Sequence, residues 1–132
     1  MGIILLIVAT VLSIIFVPIG FVYSMVVLLW RNGFVAAWHK INQYLWVLAL
    51  GLDQLGNIAL QELFNDILLL PGAYRFGNPD MTLSAVFGKN KQLGKLNKLG
   101  LVIVWILNKI DPNHTEKAVK NEEDEFDNHS SE

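Results

Sequence analysis

The most apolar part of the chain is its beginning. From residue 3 to residue 29 no side chain is acidic or basic apart from the phenol of Tyr23, and about 20 apolar residues in a helix suffice to cross a bilayer core. The pattern predicts a transmembrane helix with a bend at Pro18 and Gly20. A cleaved signal peptide is the alternative, but residues 1–10 contain no Lys or Arg, and no small-residue cleavage site follows the run.

Beyond this run, hydrophobic residues recur at alternating spacings of four and three, which is the pattern of one helix face with a period of 3.5 residues. We call this set the heptad seam: Phe34, Trp38, Ile41, Leu45, Leu48, Leu52, Leu55 and Ala59. It predicts a long amphipathic helix from about residue 33 to residue 69, ended by Pro71-Gly72, since proline cannot continue a helix.

Two environments stay open for this helix. A second membrane crossing through residues 41–70 would carry Asp53, Gln54 and Asn57 into the bilayer, and an Asp near the centre of a span costs about 3 kcal/mol. A helix in the membrane interface or in a bundle avoids that cost, and we favour this non-spanning alternative.

Asp53, Asn57 and Gln61 are spaced by four, so they share one side of the predicted helix. That side is either a polar seam for self-association or a water-lined pore, or it is the solvated face of an amphipathic helix. We favour the solvated face, because exposed polar faces are usual on such helices.

The segment GNPDMTLSAVFGKN, residues 77–90, predicts a helix start. Asn78 is a good N-cap, Pro79 suits the first helical position and Asp80 suits the positive end of the helix dipole. Gly88 and Asn90 are expected to close the turn.

Capping leaves part of that segment unexplained, namely Thr82, Ser84 and Lys89. A helix N-terminus also binds anions, so an anion-binding loop is the competing interpretation. Asp80 would repel a phosphate there, and the spaced glycines of a nucleotide loop are missing. We therefore favour capping.

The last third of the chain predicts two shorter helices. Residues 99–107 are apolar but too few to span a bilayer, so they form a helix that is either buried in protein or lies in the membrane interface, with lysines on anionic headgroups. Asp111-Pro112 ends it, and Asn113 with Glu116 predicts a capping box for a final helix. From Asn121 onward the sequence is acidic and nearly free of core residues, which predicts a disordered tail.

The formal net charge of −2 conceals a strong polarity along the chain. The first thirty residues carry no charged side chain, residues 71–111 are basic and the end is acidic. Arg31 and Lys40 follow the predicted span while nothing basic precedes it, so the positive-inside rule places the N-terminus outside and the rest in the cytoplasm. Cysteine is absent, which excludes disulfides and thiolate chemistry.

The expected architecture is all-α: a transmembrane anchor over residues 1–30, a helical cytoplasmic or membrane-interface region over residues 31–120 and the disordered tail over residues 121–132. The anchor is a single N-terminal span. A long amphipathic helix and two or three shorter helices follow it.

Several short motifs resemble a family of small membrane proteins, of uncharacterised activity, encoded by tailed bacteriophages and prophages. The resemblance covers roughly residues 50–118 and rests on Asp53-Gln54-Leu55-Gly56-Asn57, on Phe76 to Ser84, on Gly88-Lys89 and on Ile110-Asp111-Pro112-Asn113-His114. Met81 and Ala85 depart from the acidic residue and the serine that are more usual there. The resemblance implies phage origin and location in the host inner membrane, and it implies no activity.

Three hypotheses of function follow. The first and favoured one is a non-enzymatic inner-membrane protein that self-associates through the heptad seam or binds an unknown host or phage protein. The second is a holin-like protein that permeabilises the membrane through a second span. The third is a membrane-tethered enzyme acting on a phosphate-containing substrate, which requires contact between distant segments. The candidate interaction residues are Asp53, Asn57, Asp80, Thr82, Ser84, Lys89, Asp111 and His114.

We expect the lipid bilayer as a partner and no nucleic acid. Catalytic residues, cofactors and metal ligands are also not expected, because no base, nucleophile and orienting group stand in a recognised sequence arrangement. Glu62 and Asp66 have a spacing that two metal-binding carboxylates can use, but no His lies within a turn of them.

Overall fold

A computed structural model describes residues 1–129 of the chain, with side chains described as far as Asp124. This part contains five helices: α1 (Gly2–Ala59), α2 (Gln61–Ile67), α3 (Leu83–Gln92), α4 (Lys98–Ile110) and α5 (His114–His129). Leu69 and Leu96 form an antiparallel bridge between the segments that follow α2 and α3. The predicted all-α class is confirmed. Contacts divide the chain into two units, Met1–Val47 and a second unit that begins at Leu48.

Within the first unit, α1 folds back on itself at Gly33. This residue has φ 68° and ψ 167°, a positive φ that glycine adopts without the steric cost of a Cβ. The rings of Phe21 and Tyr44 lie 6.2 Å apart, whereas a straight helix would separate these residues by about 34 Å. Lys40 Nζ also donates to Asn32 Oδ1 at 2.6 Å across the turn. The break in the helix lies at Gly33, while Pro18, where the sequence predicted a bend, lies inside the helix.

The N-terminal part of α1 is long and apolar enough to cross a membrane. Its most apolar window has a mean hydropathy of 2.9, and none of that window is buried. The fold therefore does not use this segment as a core helix. It is the one candidate membrane span within residues 1–129.

The second unit is built around α3, whose middle is buried on all sides. Phe87 on α3 packs against Phe76 and Phe64, with ring centroids 5.0 Å and 5.9 Å away. At Gly88, helix α5 approaches so closely that a Cβ would clash with the carbonyl oxygen of Thr115 and lie 2.6 Å from Val119 Cγ2. The core consists of Leu68, Phe76, Met81, Ala85, Val86, Phe87, Leu96 and Val104.

Two predicted helix boundaries were wrong. The helix predicted to run to residue 69 is interrupted at Leu60, whose backbone has φ −101° and ψ 7°. The helix predicted to start at Pro79, with Asn78 as its N-cap, instead begins at Leu83 with Thr82 as its N-cap. Asn78 forms a turn of its own, in which its Oδ1 accepts the Asp80 amide at 3.0 Å.

The other end of α3 and the start of α5 also differ from the prediction. Gly88 and Asn90 lie inside α3, which continues to Gln92. Glu116 pairs with Lys91 instead of closing a capping box with Asn113. In the predicted tail, Glu122 lies on α5 and accepts hydrogen bonds from Thr82, so the packed chain extends at least that far, while residues 130–132 lie outside the described part.

Candidate functional site

The end of α1 from Leu48 onward belongs to the second unit, and its polar side packs within that unit, although the sequence favoured a solvated face. Asn57 is 0 % exposed. Its Nδ2 donates to the carbonyl oxygens of Asn78 at 2.8 Å and Met81 at 2.9 Å, and its Oδ1 accepts the Gly77 amide at 3.0 Å. Because all of these partners are backbone groups, Asn57 fixes the path of the loop before α3. The solvated-face interpretation was wrong for this residue.

Two further asparagines hold the same connection. The sequence reasoning missed Asn65 and expected Asn90 only to close a turn. Asn65 on α2 exchanges two hydrogen bonds with the backbone of Phe76, at 2.8 Å and 3.2 Å. Asn90 on α3 does the same with Tyr74, at 2.7 Å for both bonds. A signal existed for Asn90, since it lies three and four residues after Phe87 and Val86 and so shares their buried face.

The N-terminus of α3 is occupied by carboxylates of the protein itself. Glu122 Oε1 accepts from the Thr82 amide at 2.6 Å and from its hydroxyl at 2.8 Å. Asp53 Oδ2 accepts the Ser84 amide at 3.3 Å. These two side chains, and not the exposed Asp80, stand at the positive end of the helix dipole. An added phosphate would meet two negative groups there, so this end of α3 is poorly suited to anions.

The contact that the third hypothesis required is present. His114 Nε2 lies 3.1 Å from Ser84 Oγ, and His114 Nδ1 lies 3.0 Å from Asp111 Oδ2. The neutral tautomer with its hydrogen on Nδ1 donates to Asp111 and accepts from the Ser84 hydroxyl. The three side chains form a chain of hydrogen bonds, which we call the Ser-His-Asp relay. It has the connectivity of a hydrolase triad.

Asp111 is held in its ionised form by neighbours on α5. Lys117 Nζ donates to Asp111 Oδ1 at 2.9 Å. The hydrogen bond from Lys117, followed by that from His114, keeps the pKa of the Asp111 carboxyl below its ordinary value. Asp111 is therefore a charged anchor for the imidazole at neutral pH.

The surroundings of the relay do not favour catalysis. Ser84 is only 3 % exposed, whereas a nucleophile must reach its substrate. The amides of Ser84, Ala85 and Val86 already have acceptors in Asp53 and Thr82, so these donors are not free for an oxyanion. The arrangement instead ties the start of α5 to the start of α3.

Glu122 was not singled out by the sequence, which offered no signal for it. Burial, as the largest cause, raises the pKa of its carboxyl, and its Oε2 atom is buried without a hydrogen-bond partner. A cleft of about 500 Å³ adjoins it, lined among others by Asp80, Lys89 and Tyr74. Lys89 Nζ lies 4.7 Å from the centre of the Tyr74 ring, a cation–π distance.

The candidate residues thus form one connected region in the second unit. Hydrogen bonds join Asp53, Ser84, His114 and Asp111. Thr82 caps the same end of α3 and Asn57 holds the loop before it, while Asp80 and Lys89 line the adjoining cleft. Within the described side chains, no three His, Asp or Glu residues are grouped so as to hold a metal ion.

No protein-family model matches the chain, and the searches of curated proteins and of solved structures gave no match.

Proposed function

We propose that the chain is a non-enzymatic, membrane-anchored protein, of phage origin as its motifs suggest, that self-associates through the heptad seam of α1. The observation that carries the proposal is which side of α1 is buried and which side is exposed. Its polar residue Asn57 is fully buried, while Leu52 and Leu55 of the seam are 69 % and 58 % exposed. At these two positions the fold leaves the apolar side of α1 uncovered.

Exposed apolar side chains on one helix face require a partner. Soluble surfaces rarely expose large contiguous apolar patches, and such patches mark contacts with protein or lipid. The period of 3.5 residues suits pairing of helices in particular, because side chains at these positions remain on one side over several turns. Within the first unit, Phe34 and Trp38 of the seam are also exposed.

Site-directed crosslinking tests this proposal, since the natural chain has no cysteine. Leu52→Cys places a thiol on the seam, and Gln43→Cys places one at an exposed position off the seam. In native membranes, oxidation should give a disulfide-linked dimer for Leu52→Cys and little for Gln43→Cys. Equal yields at both positions would show random collision and would contradict the proposal.

A second candidate function, holin-like permeabilisation, is favoured by the turn at Gly33. If residues 3–29 span the bilayer, the contact of Phe21 with Tyr44 brings Tyr44 to the depth of Phe21, inside the hydrocarbon region. The chain then crosses the bilayer a second time. The cost of placing Asp53 in the bilayer argued against this alternative. Burial of Asn57 and partial burial of Asp53 against protein lower that cost, because polar groups in membranes are tolerated when they have protein partners.

Labelling with an impermeant maleimide separates the two topologies. For a single span, Gly2→Cys labels in intact spheroplasts, while Ala36→Cys and Ala73→Cys label only after permeabilisation. For a hairpin, positions 36 and 73 lie on opposite sides of the membrane.

Collapse of the membrane potential on induced expression would then support permeabilisation, and an intact potential at high expression would oppose it.

A further inference from the structure

Helix α4 has one face in the core and one face that nothing in the described chain covers. Gly100 and Val104 are buried against the rest of the second unit. On the opposite side, Val102 is 50 % and Trp105 is 64 % exposed. Leu101 and Ile106 flank them, with 49 % and 45 % exposed. The exposed middle of α4, residues 101–106, is therefore apolar over nearly two turns.

Positive charges bracket this apolar patch. Lys98 occupies the first position of α4, and Lys109 lies in its last turn. Both are exposed, and no acidic residue occurs between Met81 and Ile110. Lysines at the ends of an apolar helix face can extend their ammonium groups to phosphates while their methylene stems stay in apolar surroundings. Trp105 lies in the middle of the patch, and tryptophan is enriched at headgroup depth.

The length of α4 decides how it can meet a membrane. With 13 residues it is about 20 Å long, less than the hydrocarbon thickness of about 30 Å. It cannot span, but it can lie flat with its apolar side in the acyl boundary and its lysines among the headgroups.

We propose that the face of α4 made by Leu101, Val102, Trp105 and Ile106 is a docking surface for an anionic bilayer. The proposal rests on the membrane anchoring proposed above, which holds the second unit within reach of lipid. Lipid fits this surface better than a second copy of the chain. In an antiparallel pair of α4 helices, Lys98 of each copy would face Lys109 of the other, and in a parallel pair each lysine would face its own equivalent. Anionic headgroups, by contrast, neutralise these charges.

A nitroxide label on the full chain tests the proposal in vesicles made of equal parts phosphatidylcholine and phosphatidylglycerol. Val102→Cys carries the label on the proposed surface. Val17→Cys, in the candidate span, is the reference for lipid, and Lys120→Cys, exposed on α5, is the reference for water. Accessibility to oxygen, which partitions into lipid, is compared with accessibility to a water-soluble nickel chelate.

We expect the label at Val102 to resemble that at Val17, with oxygen access exceeding nickel access, and the label at Lys120 to show the reverse. A Val102 label as open to nickel as the Lys120 label would overturn the docking surface while anchoring at Val17 stands. Spin–spin broadening at Val102 that disappears on dilution with unlabelled chain would overturn it in favour of a second copy. Nickel access at Val17 as well would remove the anchoring itself.

Charge reversal separates lipid electrostatics from simple apolar contact. Lys98→Glu combined with Lys109→Glu should invert the order of oxygen and nickel access at Val102 in the anionic vesicles. The label at Val17 should not change. Retention of the lipid-like order at Val102 in this variant would contradict the role assigned to the lysines.

Discussion

His114, the first residue of α5, contacts Ser84 on α3: its Nε2 atom lies 3.1 Å from Ser84 Oγ. The two helices begin 31 positions apart in the chain. The imidazole is oriented from the other side by Asp111. Sequence separation of this size makes the contact a tertiary one, and its energetic weight is measurable.

The relay should behave as a structural connection. Ser84→Ala and His114→Ala should each lower the free energy of unfolding by about 1–2 kcal/mol, because each leaves a partner without its hydrogen bond. The double variant should lose less than the sum, with a coupling of about 1 kcal/mol. Urea unfolding of the detergent-solubilised chain measures all three, and additive losses would show that the contact carries no energy. Covalent labelling of Ser84 by a fluorophosphonate, with loss of labelling in His114→Ala, would support the hydrolase interpretation instead.

Asn57 should be one of the most sensitive positions on α1. Asn57→Ala removes three hydrogen bonds to the loop before α3, and at about 1 kcal/mol each the loss should be about 2–4 kcal/mol. Hydrogen exchange at the Gly77 amide should accelerate, since that amide loses its acceptor. Gln43→Ala, at an exposed position of the same helix, is the control and should change neither quantity.

Gly88 should not tolerate even a methyl group. Gly88→Ala places a Cβ against the Thr115 carbonyl and Val119, so α3 and α5 must separate, at a cost of about 1–3 kcal/mol. Gly51→Ala is the matched control, because its Cβ would meet nothing within 4 Å and alanine favours a helix by up to about 1 kcal/mol. Unfolding midpoints should therefore move in opposite directions, and an unchanged Gly88→Ala midpoint would contradict the close helix contact.

Two ion pairs should make the protein less stable in acid. Hydrogen bonds from Lys117 to Asp111 and from Lys91 to Glu116 lower the pKa of each carboxyl. A carboxyl whose pKa is lower in the folded state contributes stability above its unfolded pKa and loses it as the pH falls through the folded value. The free energy of unfolding should hence decline below about pH 4.5. In the double variant Asp111→Asn, Glu116→Gln this decline should be shallower, and an unaltered slope would assign the acid sensitivity elsewhere.

Glu122 should have the opposite effect on the pH dependence of stability. Burial raises the pKa of its carboxyl, so its contribution is present below the unfolded pKa and is lost as the pH rises through the folded value. Glu122→Gln keeps an oxygen acceptor for Thr82 and removes the charge, so it should stabilise the protein at neutral pH. Glu122→Ala removes the acceptor and should destabilise by about 1–2 kcal/mol. If Glu122→Gln is as damaging as Glu122→Ala at neutral pH, the carboxylate itself is needed.

Composition alone identified the candidate span, because a long run without charged side chains is a property of the local sequence. The all-α class followed in the same way from the helical periodicity and from the capping signals. Thr82 and Ser84 were recognised as more than the predicted capping required, but the actual N-cap was missed. Asn78 satisfies the local capping rules equally well, and what selects Thr82 is Glu122, forty residues later.

Tertiary structure decided which side of α1 faces the fold. Periodicity shows that a helix has an apolar and a polar side, but it does not show which of them faces the fold when the outside is lipid or another chain. Asn57 turned inward because the backbone of Gly77, Asn78 and Met81 offers it a complete set of partners. The Ser-His-Asp relay likewise depends on α3 and α5 meeting at Gly88, a contact between distant segments that local sequence pattern does not encode.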